Sequence, residues 1–285
     1  MSDLRSSFMF DYLSMTTAIV RRVVRSYLKS RSGSPQDVAK LTMQENDWLS
    51  TCPMSSIILD DDFLQPRNAE EVRRCVVIDA PNIMHITKTD HEPDKASSAG
   101  LLALIRYFVK NNFDVIAVSQ RKYTLDATVT HKFAVEKLER MGLIHLVDGH
   151  EYDDIITLEI AFASDGVIIS NDQFMDHMQS SDRYLRLLER CISVEPTRVA
   201  PEERYTLSLN GHCLAEHTFG FRRRNVPKAL VDQNPANTLH EAFFSTPDNR
   251  RHEIVMEHRE NWTEDHRDKI IATIDELLAQ IRSIV

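Results

Sequence analysis

Apolar residues recur every three or four positions at Phe8, Tyr12, Met15, Ile19, Val23 and Tyr27, which predicts an amphipathic helix over residues 8–30. The run SRSGSP at 30–35 ends it. A shorter helix is expected from Pro35 to about Leu49, followed by the irregular stretch STCPMSSIILDDDFLQP. Residues 1–70 are therefore read as an N-terminal helical segment and connector. From Val72 the rhythm changes to strand, helix, strand. The apolar runs CVVID (75–79), FDVIAVS (113–119), LIHLV (143–147), GVIIS (166–170) and CISVE (191–195) have strand length and β-branched content. Helical periodicity fills the gaps, in 98–111, 127–142 and 152–164, and again in DQFMDHMQ and DRYLRLLERC. Gly142 stands where a helix C-terminus favours glycine.

Strands apolar on both faces, alternating with helices of about 10–15 residues, imply a parallel sheet covered on both sides. The expected fold class is α/β, a doubly wound parallel sheet with N- and C-terminal helical extensions. The α/β unit is assigned to 71–217. Residues 218–285 are read as a basic stretch and a C-terminal amphipathic helix from Thr263. Its stripe of Ile270, Ile274, Leu277, Leu278 and Ile281 needs a covering surface, on the domain or on another chain.

Composition changes this picture little. With 42% hydrophobic and 27% charged residues, the chain has the profile of a soluble globular protein. No apolar run approaches a membrane span, and the N-terminus shows no signal-peptide pattern. The four cysteines (Cys52, Cys75, Cys191, Cys213) are scattered without a CxxC pair, so reduced thiols in an intracellular protein are expected and zinc-finger spacing is absent. A group of His212, Cys213 and His217 lacks a fourth ligand at finger spacing.

The formal net charge of −9 argues at first against a nucleic-acid partner. The charge is uneven, though. Residues 1–33 carry Arg5, Arg21, Arg22, Arg25, Lys29 and Arg31 against Asp3 and Asp11, and RRC (73–75), QRK (120–122) and FRRRN (221–225) follow. Each cluster has an ordinary reading as a solvated face.

The acids are more informative. In open α/β sheets, ligands bind beyond the carboxyl ends of the strands, near the point where strand order reverses. Asp79 ends the first strand, Asp153 and Asp154 open the helix after the third, and Asp172 follows the fourth. Asp176 would share a helix face with Asp172 at i, i+4. If the fourth strand pairs beside the first, these carboxylates meet at one edge. Acids so gathered cannot all stay ionised without a cation. Oxygen-only ligands with room for water suit Mg²⁺ or Mn²⁺, and such a site suits phosphodiester hydrolysis. Singly, Asp153 or Asp154 could just cap a helix, Asp176 could be an ordinary surface acid, and Asn82 could be a turn residue after Pro81. DAPNIMH holds no glycine, which excludes a dinucleotide turn or a P-loop after the first strand.

The segments VVIDAPNIMH and YDDIITLEIAFASDGVIISNDQFMD, with their spacing, resemble the PIN-like NYN ribonuclease domain of the Regnase (MCPIP) family over about residues 72–217. The resemblance implies a PIN/NYN-like fold and a Mg²⁺-dependent endoribonuclease acting on single-stranded RNA, usually mRNA. By position, Asp79, Asp154, Asp172 and Asp176 would hold the metal and its water. Asp153 would sit beside them and Asn82 would support Asp79; which of Asp153 and Asp154 touches the metal stays open. Ala80-Pro81 departs from the family's Gly-Ser, and the segment VDGHEYDD lacks the family's basic loop. No CCCH zinc finger follows the domain in this sequence. RNA affinity is therefore expected from Arg121 and Lys122 first, and from Arg222, Arg223 and Arg224 second.

The expectation is a cytoplasmic enzyme, RNA granules included, in mRNA decay or RNA silencing. Protein partners or self-association are expected through the flanking helices, with no membrane and no DNA. The rival reading is a catalytically weak RNA-binding scaffold that recruits partner proteins, its acids serving only to stabilise the fold.

Overall fold

The computed structural model describes residues 49–51, 61–88, 92–148, 153–174, 177, 184–198, 217–227, 230–231 and 233–284. The helix expected over 8–30 lies outside the described residues, as does Asp176. At the end of the second expected helix, Leu49–Thr51 is a strand, β1.

The remaining strands are β2 (Val72–Arg73), β3 (Val76–Asp79), β4 (Val115–Gln120), β5 (Ile144–Val147), β6 (Val167–Ile169), β7 (Cys191–Arg198), β8 (His217–Arg223), β9 (Asn225–Pro227) and β10 (Phe244–Ser245). The helices are α1 (Ala80–Ile86), α2 (Ser98–Lys110), α3 (Lys132–Arg140), α4 (Asp153–Ser164), α5 (Leu185–Leu188), α6 (Pro235–Phe243), α7 (His252–Arg259) and α8 (Glu264–Ile284). The main sheet has the order β5-β4-β3-β6-β7-β8. Pairings are parallel from β5 through β7, and β8 closes the edge antiparallel to β7. Two short antiparallel pairs, β1 with β9 and β2 with β10, lie outside it. This is the doubly wound α/β architecture expected from the strand–helix alternation.

The sheet's two faces carry separate cores. Val76 and Ile78 face a layer built from α1, α2, α3, α6 and α8, while Val77, Ile116 and Val118 face α4 and the Tyr184–Leu188 segment. Every residue of β3 is buried, which is why the strand reads as a continuous apolar run with no alternation. The chain runs outward through β3, β4 and β5, then α4 carries it back to place β6 on the other side of β3. The strand order therefore reverses between β3 and β6.

Several local expectations change. The helix expected over 127–142 is shortened to α3, because His131 takes a left-handed conformation (φ 51°) just ahead of it. Asp172 is not helical: its Oδ1 accepts the Phe174 N–H at 3.1 Å, and Phe174 sits at φ 50°. The proposed i, i+4 face with Asp176 therefore has no helix at its start. A side chain that takes up a backbone N–H two residues on stabilises a turn in competition with a helix.

The segment after 217 completes the core as well as carrying basic residues. Phe219 and Phe221 of β8 and Phe243 of α6 are buried with Phe63 and Phe108. The apolar stripe of α8 is covered by the domain itself, since Ile270, Ile274, Leu277, Leu278 and Ile281 are all buried in the first core. An Arg106–Asp275 ion pair (Nε–Oδ1 2.5 Å) ties α8 to α2. Among the described residues no helix is long and apolar enough to cross a membrane.

Ile274 is fully buried. Ile274→Ala should lower the unfolding free energy by about 2–5 kcal/mol in urea titrations. A loss below about 0.5 kcal/mol, the scale of an ordinary surface substitution, would mean that α8 does not dock on the chain's own core.

Candidate active site

The reversal between β3 and β6 puts the end of β3 beside the loop that follows β6. Asp79 is the last residue of β3 and the N-cap of α1, where its Oδ1 accepts the Asn82 N–H at 3.2 Å. Its Oδ2 accepts the Ser170 hydroxyl at 2.6 Å, and the Ser170 oxygen accepts the Asp172 N–H at 2.9 Å. The Asn82 side chain serves the loop: its Oδ1 accepts the Asn171 N–H at 3.0 Å. Asn171 in turn clamps β7, donating to Val194 O and accepting from Val194 N, each at 2.9 Å. One hydrogen-bonded chain thus joins the ends of β3 and β6 to β7.

Asp153 and Asp154 open α4 at the same edge. Asp153 is buried and Asp154 is half-buried. A groove of about 550 Å³ is lined by Asp154, Asn171, Asp172, His177 and Arg224. His177 Nε2 lies 3.4 Å from Asp154 Oδ2, and Arg224 donates to Asn171 O at 2.7 Å.

The acids act on one another. Burial pushes the Asp79 carboxyl up to about 7; the Ser170 and Asn82 bonds oppose the shift, and the charges of Asp154 and Asp153 add to it. Asp154 is likewise raised by burial, then by Asp153 and Asp172, with His177 opposing. The structure therefore brings Asp79, Asp153, Asp154 and Asp172 into one electrostatic group. No three of these described acids bring carboxylate oxygens within 4.8 Å of one another, a spread that like charges favour. An N-cap role accounts for one oxygen of Asp79 but not for its burial beside other acids. The donor set is all oxygen, with Asp154 and Asp172 lining the groove and Asp79 and Asp153 buried behind it, and oxygen donors of this kind fit a hard divalent cation.

The basic residues divide. Arg121 bonds Asp148 (Nε–Oδ1 2.8 Å) and lies 3.5 Å from Glu139, so its charge is largely offset. The Lys122 ammonium sits 5.1 Å from the Tyr123 ring centroid, and Tyr123 borders the site, since Asp153 and Asp79 both raise its hydroxyl after burial does. Arg222 is half-buried in β8. Arg223 is buried, its guanidinium donating to Glu189 O and to Thr238 O. Arg224 alone of that trio lines the groove. Sequence reasoning missed Ser170, Asn171 and His177. Their positions directly after β6 and around Asp172 were visible, but nothing marked their partners. The Asp165-Gly166 pair inside the resemblance block has a structural role. Asp165 sits at φ 51° and binds the buried Arg74 and Arg190, and a Cβ on Gly166 would stand 2.7 Å from Cys75 O.

Residues 72–200 match the family described as the Zc3h12a-like ribonuclease NYN domain. That part of the chain is similar to, and consistent with, a Regnase-type NYN ribonuclease domain. Two solved structures of the Arabidopsis thaliana nuclear protein-only RNase P 2 (PRORP2) are also similar. One is 19% identical, with a TM-score of 0.35, covering 44% of this chain and 28% of that one. The other is 20% identical, with a TM-score of 0.36, covering 45% and 28%. This chain thus spans less than a third of the plant protein's length, and likeness at this level bears on neither substrate nor partner.

Because the folded-state value for Asp79 is raised, its charge destabilises the metal-free protein. Stability is fully present below about pH 4 and falls as pH rises through about 7. Asp79→Asn should therefore leave the melting temperature unchanged near pH 4 and raise it by several degrees at pH 8. Equal melting curves at both pH values, read by calorimetry without metal, would remove the electrostatic basis of the site.

Proposed function

We propose that this domain is a divalent-metal-dependent endoribonuclease that cleaves single-stranded RNA, mRNA in particular, in the cytoplasm. The observation that supports this most strongly is the burial of Asp79, which pushes its carboxyl up to about 7, beside the charges of Asp154 and Asp153. Asp79, Asp154 and Asp172 would hold Mg²⁺ or Mn²⁺, with Asp153 beside them and Asp176 a further candidate by position. Such an ion supplies a nucleophilic water and offsets charge that builds on the phosphate.

The chain's own residues do the rest. Ser170 and Asn82 fix both oxygens of Asp79, so the carboxylate need not reorganise on loading. Asn171 sets the loop that carries Asp172. Arg224 offers the scissile phosphate a guanidinium across the groove from the acids, and Lys122 offers the strand a second cation beyond Tyr123. Water adds to phosphorus as the bond to the 3′ oxygen breaks, leaving a 3′-hydroxyl and a 5′-phosphate. Roles in mRNA decay or RNA silencing, and recruitment by protein partners, extend the same reading.

Purified protein with labelled single-stranded RNA and Mg²⁺ should cleave, and EDTA should stop it. Asp79→Asn, Asp154→Asn and Asp172→Asn should each lower the rate at least about 100-fold, the scale of removing a key electrostatic group. Arg224→Ala should weaken RNA binding with a smaller loss in rate. Undiminished cleavage by Asp79→Asn would reject the site. A scaffold whose acids serve only the fold predicts the reverse for stability, with Asp79→Asn melting lower than the parent at pH 8.

A further inference from the structure

A second cluster of metal-ligand side chains lies at the opposite, amino-terminal edge of the sheet. Val76 pairs with Val115 in register, and the Val76 N–H donates to Asp114 O at 2.8 Å. Cys75 and Asp114 are the residues just before that pair, so they stand side by side on neighbouring strands and project to one face. It is the face of Val77 and Ile116, packed under α4. Helix α7 crosses this edge and delivers His258, whose Nε2 lies 2.9 Å from Asp114 Oδ2. One donor atom from each of Cys75, Asp114 and His258 falls within 4.8 Å of the other two. The Cys75 and Asp114 residues are each 2% exposed, and the His258 side chain is 10% exposed.

We propose that Cys75, Asp114 and His258 form a second metal site, for zinc or a similar borderline divalent ion. Thiolate, imidazole and carboxylate are the ligand types of zinc, and a thiolate disfavours the hard ions suited to the acidic groove. Three ionisable groups buried together are costly unless their charges are offset; the His258–Asp114 contact offsets them when the imidazole is protonated, and a bound cation would take that proton's place. His266, in the first turn of α8, is close enough for its ring to feel the charge of Asp114 but is not one of the three clustered donors. The site would pin α7 to the sheet, remote from the groove and independent of cleavage.

The full chain, purified without chelator and desalted, should retain about one zinc per chain by elemental analysis. Stripping it should lower the melting temperature on the order of 10 °C, with recovery on adding zinc but not magnesium. Cobalt in place of zinc should give a thiolate-to-metal charge-transfer band. That band should vanish in Cys75→Ser and persist when Cys52, Cys191 and Cys213 are all replaced by serine. If Cys75→Ser fails to fold, the triple variant decides, because Cys75 is then the sole thiol. Asp79→Asn should keep its zinc, which separates this site from the groove. A zinc-free parent with no cobalt band, or a band that survives Cys75→Ser, would leave only a hydrogen-bonded trio and overturn the proposal.

Discussion

The burial of carboxylates that the strand order brings to one edge is the constraint around which that edge of the domain is arranged. Asp79 cannot move away, because it ends a fully buried strand and caps α1. Asp153 and Asp154 cannot move away either, because α4 must start where β5 ends in order to cross back to β6. Placing like charges in a partly buried edge is unfavourable, and a folded chain tolerates it where function requires it. Burial pushes the Asp79 carboxyl up to about 7; Ser170 and the Asn82 backbone oppose the shift, and the charges of Asp154 and Asp153 add the smaller part.

The supporting bonds show how the edge keeps its shape. Asn82 and Asn171 form a relay from α1 through the β6 loop to Val194 of β7. The parts of the loop that carry Asp172 are therefore fixed by neighbouring strands, with little demand on the loop's own propensity. Preorganised ligands need little rearrangement at the moment of reaction. The same economy explains Arg224, whose backbone follows the β8 edge and whose guanidinium is already oriented by Asn171 O.

The two edges of the sheet differ in chemistry because the strands present different residues at their two ends. The carboxyl ends of β3 and β6 offer oxygen donors beside an open groove. The amino ends of β3 and β4 offer a buried thiol and a buried carboxylate, with an imidazole from α7. Spacing rules for zinc fingers do not detect such a set, because its ligands come from three separate elements about 39 and 144 residues apart in sequence.

Five strands of the main sheet, and the acids near their ends, were legible in the apolar runs, whereas the edge strand β8 lay under residues read as a basic stretch. Period-two and continuous apolar runs report burial directly, and Asp79, Asp153, Asp154 and Asp172 fall at strand ends whatever the packing. The sequence also exposed the α8 stripe, though not what covers it. That Arg223 turns inward follows from the pairing of β8 with β7, and that Arg224, just past the strand, lines the groove follows from its bond to Asn171 O. Only the tertiary structure decided that Asp172 lies in a turn, and that Ser170 and Asn171 serve as struts. A side chain's role here follows from which distant backbone or carboxylate it meets, and those meetings exist only once β6 has been laid beside β3.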